Sequence, residues 1–414
     1  MRSSVVALAL AACAPIAPEP SLQSSPLETE PLRIGAMGPL DMQTEAEWRS
    51  FESDLAQARS LGITSISIDV WWGQVERVGD QRFDWSWVDR AARTITAAGL
   101  SWRPVLAFHA CGGNVGDTCH IPIPEWVFAK YGDRVRYVSA QGHTTDEVIS
   151  VWATPIVLEQ YREFFVAFAE RYADYADRTS GIAIGLGPAS ELRYPSYNAH
   201  DEDAGYPGPG VTQAGSEMAR ADRALHADED FFDWYRDRLL EHGRLVLGAA
   251  ADVFQPSAFH GVRLSARVPG VHWRAGDTRG AELSAGLIGR DHDGPDHGYG
   301  PLVKMIADLR ARPDRPNVAL EYTCLEKPNG EGGPAVASLA EALVFWVATE
   351  AHRQGVPIGG ENALSGGLLT SKGWDRIENA IRWSYYDDVT FLRLHDVVTS
   401  DLAKARIVRL RELR

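Results

Sequence analysis

Cysteine is scarce: the 414-residue chain has four, of which Cys111, Cys119 and Cys324 lie in its body. An odd number at wide spacing is no disulfide framework, and it does not match a zinc pattern, which wants paired Cys or His ligands two to five residues apart. The three are expected to be core thiols. Basic charge is also short, with 41 Lys plus Arg against 56 Asp plus Glu, a formal charge of −15 that is spread along the chain. Phosphate contacts need a basic footprint, so nucleic acid is not expected as a partner. The acidity reads instead as a solubilising surface for a protein outside the cytoplasm. Nor does the apolar run near the N-terminus approach the roughly 20 residues that cross a bilayer.

That run belongs to "MRSSVVALALAACAPIAPEPSLQSSPLETEP", which has one Arg, a short apolar stretch and then Pro, Ser and Glu without periodicity. It reads as an export signal over residues 1–13, followed by a disordered Pro/Ser-rich tether over 14–31. The small residues before Cys13 resemble a bacterial lipobox, in which that cysteine carries lipid. An ordinary cleaved signal or a misplaced start codon is the alternative. The protein is thus expected to be exported, either secreted or lipid-anchored at the bacterial cell envelope through Cys13, and monomeric.

What is abundant is apolar and aromatic: 45% of residues are hydrophobic, with 13 each of Trp, Tyr and Phe. From residue 32 to 414, short β-rich runs alternate with longer amphipathic ones. Strands are expected at 32–40, 63–72, 102–111, 181–189, 262–273, 317–326, 357–364 and 389–396, each bounded by Gly, Pro or polar residues. Eight helical patterns lie between and after them, several closing on Gly. Even alternation without a Gly-rich phosphate loop after the first strand favours a single (β/α)8 barrel, of α/β class, over an open doubly wound sheet. Long connections at 112–155 and 190–228 follow strands three and four and are expected to be active-site loops.

Catalytic groups of a barrel project from the carboxyl ends of its strands. That rule selects Asp69, Trp71, Trp72, His109, Glu191, His272, Trp273, Thr323, Glu326, Glu361, Asn362, Arg393, His395 and Asp396. Acids and aromatics dominate this set, as a sugar site requires. Glycoside hydrolysis uses two carboxyl groups flanking the scissile bond, one protonated and one ionised. Glu191 and Glu361, on strands four and seven, can face each other across the rim. A lone rim glutamate is more often a salt bridge with an arginine; two in Gly/Pro/Asn-rich strand ends favour catalysis. Trp71, Trp72, Trp273, Tyr194 and Tyr197 are expected where a pyranose ring could stack, whereas "YREFFVAF" and "WSWVDRAARTI" are helix faces that pack on the barrel. The loop "DHDGPDHG" (291–298) is expected to be solvated rather than a cation site.

These residues sit in motifs that resemble those of the β-amylases, a family of (β/α)8 barrel enzymes. They are "SIDVWWGQVE" (67–76), "FHACGGNVGDTCHIPIPEWV" (108–127), "GLGPASELRYPSY" (185–197), "VPGVHW" with "AELSAG" (268–286), "TCLE" (323–326), "GGENALS" (359–365) and "FLRLHD" (391–396). The resemblance implies an exo-acting hydrolase of α-1,4-glucans that releases maltose from non-reducing ends with inversion. Carried over by motif, Glu191 matches the general acid and Glu361 the general base; Asp69, His109, Asp117, Thr323, Asn362 and Arg393 match substrate-site positions. "GGNVGD" (112–117) matches a loop that closes over sugar. Ser190 stands where the family places Gly, "ALSGG" (363–367) departs from the usual continuation after the base, and the segment 272–286 lacks the family's lysine, leaving Arg274 or Arg279 as substitutes.

The mechanism so implied has Glu191 protonated near neutrality and Glu361 ionised, oriented by Asn362. It calls for no metal or organic cofactor. Two alternatives stay open. Retaining glycosidases also place their pair after strands four and seven, and would trap a covalent adduct on Glu361. A surface lipoprotein that binds glycan without cleaving it would release no sugar at all.

Overall fold

Runs rich in Val, Ile and Ala, cut short by Gly, Pro or polar residues, have room for only a few strand residues each. The computed structural model describes residues 32–112, 117–195, 212–273, 279–330 and 338–413. In it the runs form β1 (Arg33–Met37), β2 (Ser65–Trp71), β3 (Ser101–Ala107), β4 (Ile182–Ile184), β5 (Leu264–Val268), β6 (Val318–Tyr322), β7 (Ile358–Glu361) and β8 (Asp388–Phe391). Each pairs in parallel with the next, and β1 pairs with β8, Arg33 opposite Asp388, to close an eight-stranded barrel. All eight expected strands are present.

The helices that follow the strands are α1 (Glu45–Leu61), α2 (Ser86–Ala97), α3 (Thr154–Arg171), α4 (Phe231–Phe254), α5 (Gly300–Arg310), α6 (Ala340–Arg353), α7 (Ser371–Trp383) and α8 (Asp401–Leu410). Local chemistry sets their ends. Thr44 and Glu47 form a reciprocal capping box at the start of α1, and Gly62 ends it in the left-handed region, where a side chain would be strained. The aromatic face of α3 packs as expected: Phe164, Phe165 and Phe168 are fully buried, against Phe108, Trp102 and Phe254. Truncating one such ring to Ala would cost about 3–5 kcal/mol.

The two long connections follow β3 and β4. The first holds a short helix (Glu125–Tyr131) and a small hairpin pairing Tyr137–Val138 with Thr144–Thr145; the second holds a helix at Glu217–Leu225. No helix among the described residues is long and apolar enough to cross a membrane. The expected signal, the tether and Cys13 lie outside the described residues, as do positions 113–116 of the loop, Tyr197 and Arg274.

One expectation is overturned at the root of the first long loop. Cys111 and Cys119 are joined as a disulfide, and only Cys324 stays a buried thiol. The backbone explains it. Cys111 and Ile121 exchange N–H···O bonds of 2.9 and 3.1 Å, which folds the loop back and brings the two cysteine Cα atoms to 5.7 Å, within the range a disulfide spans.

The lower barrel interior is charged rather than filled with branched aliphatics. Arg103 on β3 donates to Glu321 of β6 at 2.7 Å, to Ser265 of β5 at 2.9 Å, and to Asp388 and Thr390 of β8 at 3.2 Å each. Because both terminal nitrogens of the guanidinium find acceptors, burial of these ions is tolerable; removing one partner would leave an uncompensated charge.

Candidate active site

Glu361 is the last residue of β7 and is buried; Glu191 lies just beyond β4 and is slightly exposed. A tight turn delivers Glu191. Ala189 and Ser190 take φ of 54° and 62°, successive left-handed residues that swing the chain back towards the barrel. A side chain at Gly187 would strike the Glu191 and Arg193 carbonyls, so the turn closes only on glycine there. The serine at 190 thus occupies a backbone conformation that suits glycine.

Both oxygens of Glu191 are engaged. Arg193 Nε donates to Oε2 at 3.1 Å, and Thr323 Oγ1 donates to Oε1 at 3.3 Å. Thr323, just after β6, itself accepts from the Gly270 N–H at 2.7 Å. A hydroxyl can reverse its proton, so Thr323 can serve Glu191 in either protonation state.

Glu361 accepts from Arg267 Nη2 at 2.6 Å, a salt bridge with both side chains almost wholly buried. Burial pushes the Glu361 carboxyl up to about 7, while Arg267 and Arg393 pull it down and Glu321 and Glu191 push further up. Desolvation is thus the main force against ionisation of Glu361, and Arg267 is the first of the groups that favour it. The orienting contact is corrected. Asn362 does not hold Glu361: its Oδ1 accepts from Leu392 N at 2.9 Å and its Nδ2 donates to Leu392 O at 3.2 Å. Its amide is spent on the backbone that leads into Arg393.

Asp69, on β2, is buried, and burial lifts it to about 6 against the pull of Arg267 and Arg393. His109 follows β3; burial, with Arg267 and Arg193 nearby, drives it down to about 3, so its imidazole is neutral. Its Nδ1 lies 3.4 Å from Ser190 Oγ and its ring stands edge-on to Trp71 at 5.0 Å. Asp117 accepts from the Gly112 N–H at 2.8 Å, across the base of the loop closed by the disulfide. Arg393 follows β8, and its charge acts on both Asp69 and Glu361. One rim therefore gathers Glu191, Glu361, Asp69, His109, Thr323 and Arg393, with Asn362 directly after Glu361 and bonded to Leu392.

Other expectations fail. Trp71, Trp72, Trp273 and Tyr194 are all buried and offer no sugar platform. Trp71 Nε1 donates to the Leu40 carbonyl, Trp72 Nε1 donates to Glu76, and Tyr194 stacks on Tyr235 at 3.8 Å with its hydroxyl on the Tyr235 carbonyl. Strand ends expose a ring only if the following loop leaves it uncovered, and here the loops cover them. Arg279 is no substitute for the lysine: its guanidinium is held by Glu282 at 2.7 and 2.8 Å and by the His297 carbonyl. Glu326 clamps the segment after Glu361, accepting from Ala363 N and Leu364 N at 2.9 Å each. Arg267 was missed by the strand-end rule because it lies inside β5; the signal was "RLSAR", where polar residues alternate with apolar ones in a barrel strand.

Glycosyl hydrolase family 14 matches residues 35–230 and 224–409. The chain is 31% identical over 416 residues to a β-amylase of Niallia circulans, covering 89% of this chain and 68% of that protein. It is 32% identical over 429 residues to a β-amylase of Cytobacillus firmus, covering 92% and 86%. Its fold superposes on the catalytic domain of the β-amylase from Paenibacillus polymyxa with a TM-score of 0.79 at 28% identity, over 92% of this chain and 98% of that one.

Proposed function

The chain belongs to glycosyl hydrolase family 14 and is a glycoside hydrolase of the β-amylase kind, and from that premise we propose that it releases β-maltose from the non-reducing ends of α-1,4-glucans by an inverting displacement. The observation that supports this reading is that Glu191, beyond β4 and hydrogen-bonded to Arg193 and Thr323, shares one barrel rim with Glu361, which ends β7 and is hydrogen-bonded to the buried Arg267.

In this mechanism Glu191 gives its proton to the glycosidic oxygen as the bond to the anomeric carbon breaks. Glu361 takes a proton from a water whose oxygen attacks that carbon from the opposite face, so the new hydroxyl is β. Inversion requires the carboxyl groups to stand roughly 6.5–9.5 Å apart, leaving room for that water. Asp69, His109, Asp117 and Arg393 hold sugar hydroxyls, and Thr323 follows the proton on Glu191. Nuclear magnetic resonance of the first product from maltopentaose tests the reading. β-Maltose is expected, with kcat reduced about 10²–10⁴-fold or more in Glu191→Gln and in Glu361→Gln; α-maltose as first product would refute inversion.

The same reading places the enzyme outside the cytoplasm, by the signal over residues 1–13 and a lipid on Cys13. The Cys111–Cys119 disulfide supports it, since such bonds persist in oxidising compartments. Metabolic labelling with a radioactive fatty acid tests the anchor: label must enter the chain and vanish in Cys13→Ala.

A further inference from the structure

The barrel carries its charges in two tiers. Below, Arg103 donates to Glu321, Asp388, Ser265 and Thr390. Above, Arg267 of β5 lies in register with Glu321 of β6 and reaches across to Glu361 at the end of β7, donating at 2.6 Å. Both partners of that pair are within a few per cent of full burial. An ion pair this dry contributes little to stability compared with apolar packing, so its presence calls for another reason. The reaction proposed above supplies one, because a general base must be ionised in a place where burial favours the neutral acid.

We propose that Arg267 is the positioning residue for the general base: its guanidinium keeps the Glu361 carboxylate ionised and fixes which oxygen is free to take the proton of the attacking water. Arg267 Nη2 occupies Oε1, so Oε2 is the oxygen left for the water. This rests on the assignment of Glu361 as base.

Other charged groups also bear on the carboxylate. Glu321 from β6 and Glu191 from beyond β4 oppose its ionisation, and Arg393 from beyond β8 favours it less than Arg267 does. Asp69 from β2 and the neutral His109 from beyond β3 face Arg267 rather than stabilising Glu361. Removing the guanidinium therefore leaves Glu361 among carboxylates with one weaker cation.

The test uses Arg267→Met and Arg267→Lys in the full chain. An opposite charge this close lowers a carboxyl pKa by about 1–3 units, so the acidic limb of the kcat profile on maltopentaose should move up by at least ~1 pH unit in Arg267→Met. KM should change by no more than about twofold, since the side chain does not touch sugar. Arg267→Lys, which keeps the charge, should restore the limb to within about half a unit while kcat stays reduced about tenfold, because a flexible, rotatable ammonium does not fix one carboxylate oxygen as the planar guanidinium does. An unmoved limb in Arg267→Met, or a loss confined to KM, overturns the proposal. Isotope-edited infrared spectra of the glutamate carboxyl band, taken as the difference from Glu361→Gln, follow the same ionisation without activity. They must show Glu361 protonated at higher pH in Arg267→Met than in the parent, and coincident titrations overturn the proposal even if the parent released no maltose, which would instead refute the assigned function.

Discussion

Asn362 separates the reading of its motif from the reading of its contacts. The motif makes it a residue that touches substrate. The structure commits both polar atoms of its amide to Leu392, accepting from N at 2.9 Å and donating to O at 3.2 Å, with the residue 1% exposed. In Asn362→Ala the part-buried Leu392 N–H and C=O lose their partners, at about 1–3 kcal/mol for each unpaired group, or roughly 2–6 kcal/mol together. Unfolding entropy of roughly 2.1 cal/mol/K per residue is about 0.8 kcal/mol/K for a barrel of this size, so Tm should fall by about 3–8 °C. Leu392 leads directly into Arg393, and Asn362 directly follows Glu361. Loss of the clamp should thus loosen a cation and the proposed base together and lower kcat about 10-fold or more, with KM within about threefold. Calorimetry and steady-state kinetics on maltopentaose measure both. A KM raised about tenfold at unchanged Tm would show that the amide serves the sugar, and the clamp argument would fail.

Three further outcomes follow from other contacts. Replacing Cys111 and Cys119 by Ala opens a loop of sequence separation 8; chain entropy puts the loss at about 2.5 kcal/mol, a Tm about 3 °C lower, and a parent in which both thiols alkylate without reductant would disprove the bond. His242 is buried, 2.6 Å from Thr154 Oγ1 and 2.9 Å from the Leu186 carbonyl, and burial holds it at about 4. Its folded value lies below the unfolded one near 6.5, so its contribution is complete above about pH 6.5 and is lost, by up to roughly 3 kcal/mol, as pH falls through the folded value. Denaturant titrations should show that slope in the parent and its absence in His242→Gln; identical slopes would contradict the assignment. At Ser190, with φ 62°, Ser190→Gly should raise stability by about 0.5–1 kcal/mol and Ser190→Val lower it by more than ~2 kcal/mol, with the reverse order refuting the strain argument.

The barrel was legible because each strand is announced twice, by its apolar run and by the Gly or Pro that ends it. The carboxylates were legible because a barrel presents its chemistry at strand ends, where Glu191 and Glu361 stand. The same rule misled for the aromatics. Trp71 ends β2 and Trp72 directly follows it, yet the loop that folds back through Cys111 and Ile121 packs on Trp71, and Tyr161 and Trp126 on Trp72. Whether a ring at a strand end meets sugar or core depends on how a later loop returns, which is a tertiary fact. The disulfide eluded spacing arguments for the same reason, since only the backbone bridge to Ile121 brings its cysteines together.

What escaped notice altogether was the charged interior, although the sequence carried its signature. Arg263, Ser265 and Arg267 alternate with Leu264, Ala266 and Val268, while Arg103, Glu321 and Asp388 each interrupt an otherwise apolar or small-residue strand. In a sheet covered by helices, such alternation can only mean that one face looks into a polar barrel. Those polar positions are not ornaments of the fold: Arg103 donates hydrogen bonds to three strands at once, whereas Arg267 donates its 2.6 Å hydrogen bond to Glu361. The contrast separates an arginine that closes the barrel floor from one that is hydrogen-bonded to the proposed base. A barrel strand that directs an ion at that carboxylate has placed it where the carboxylate's charge, rather than the barrel's cohesion, depends on it.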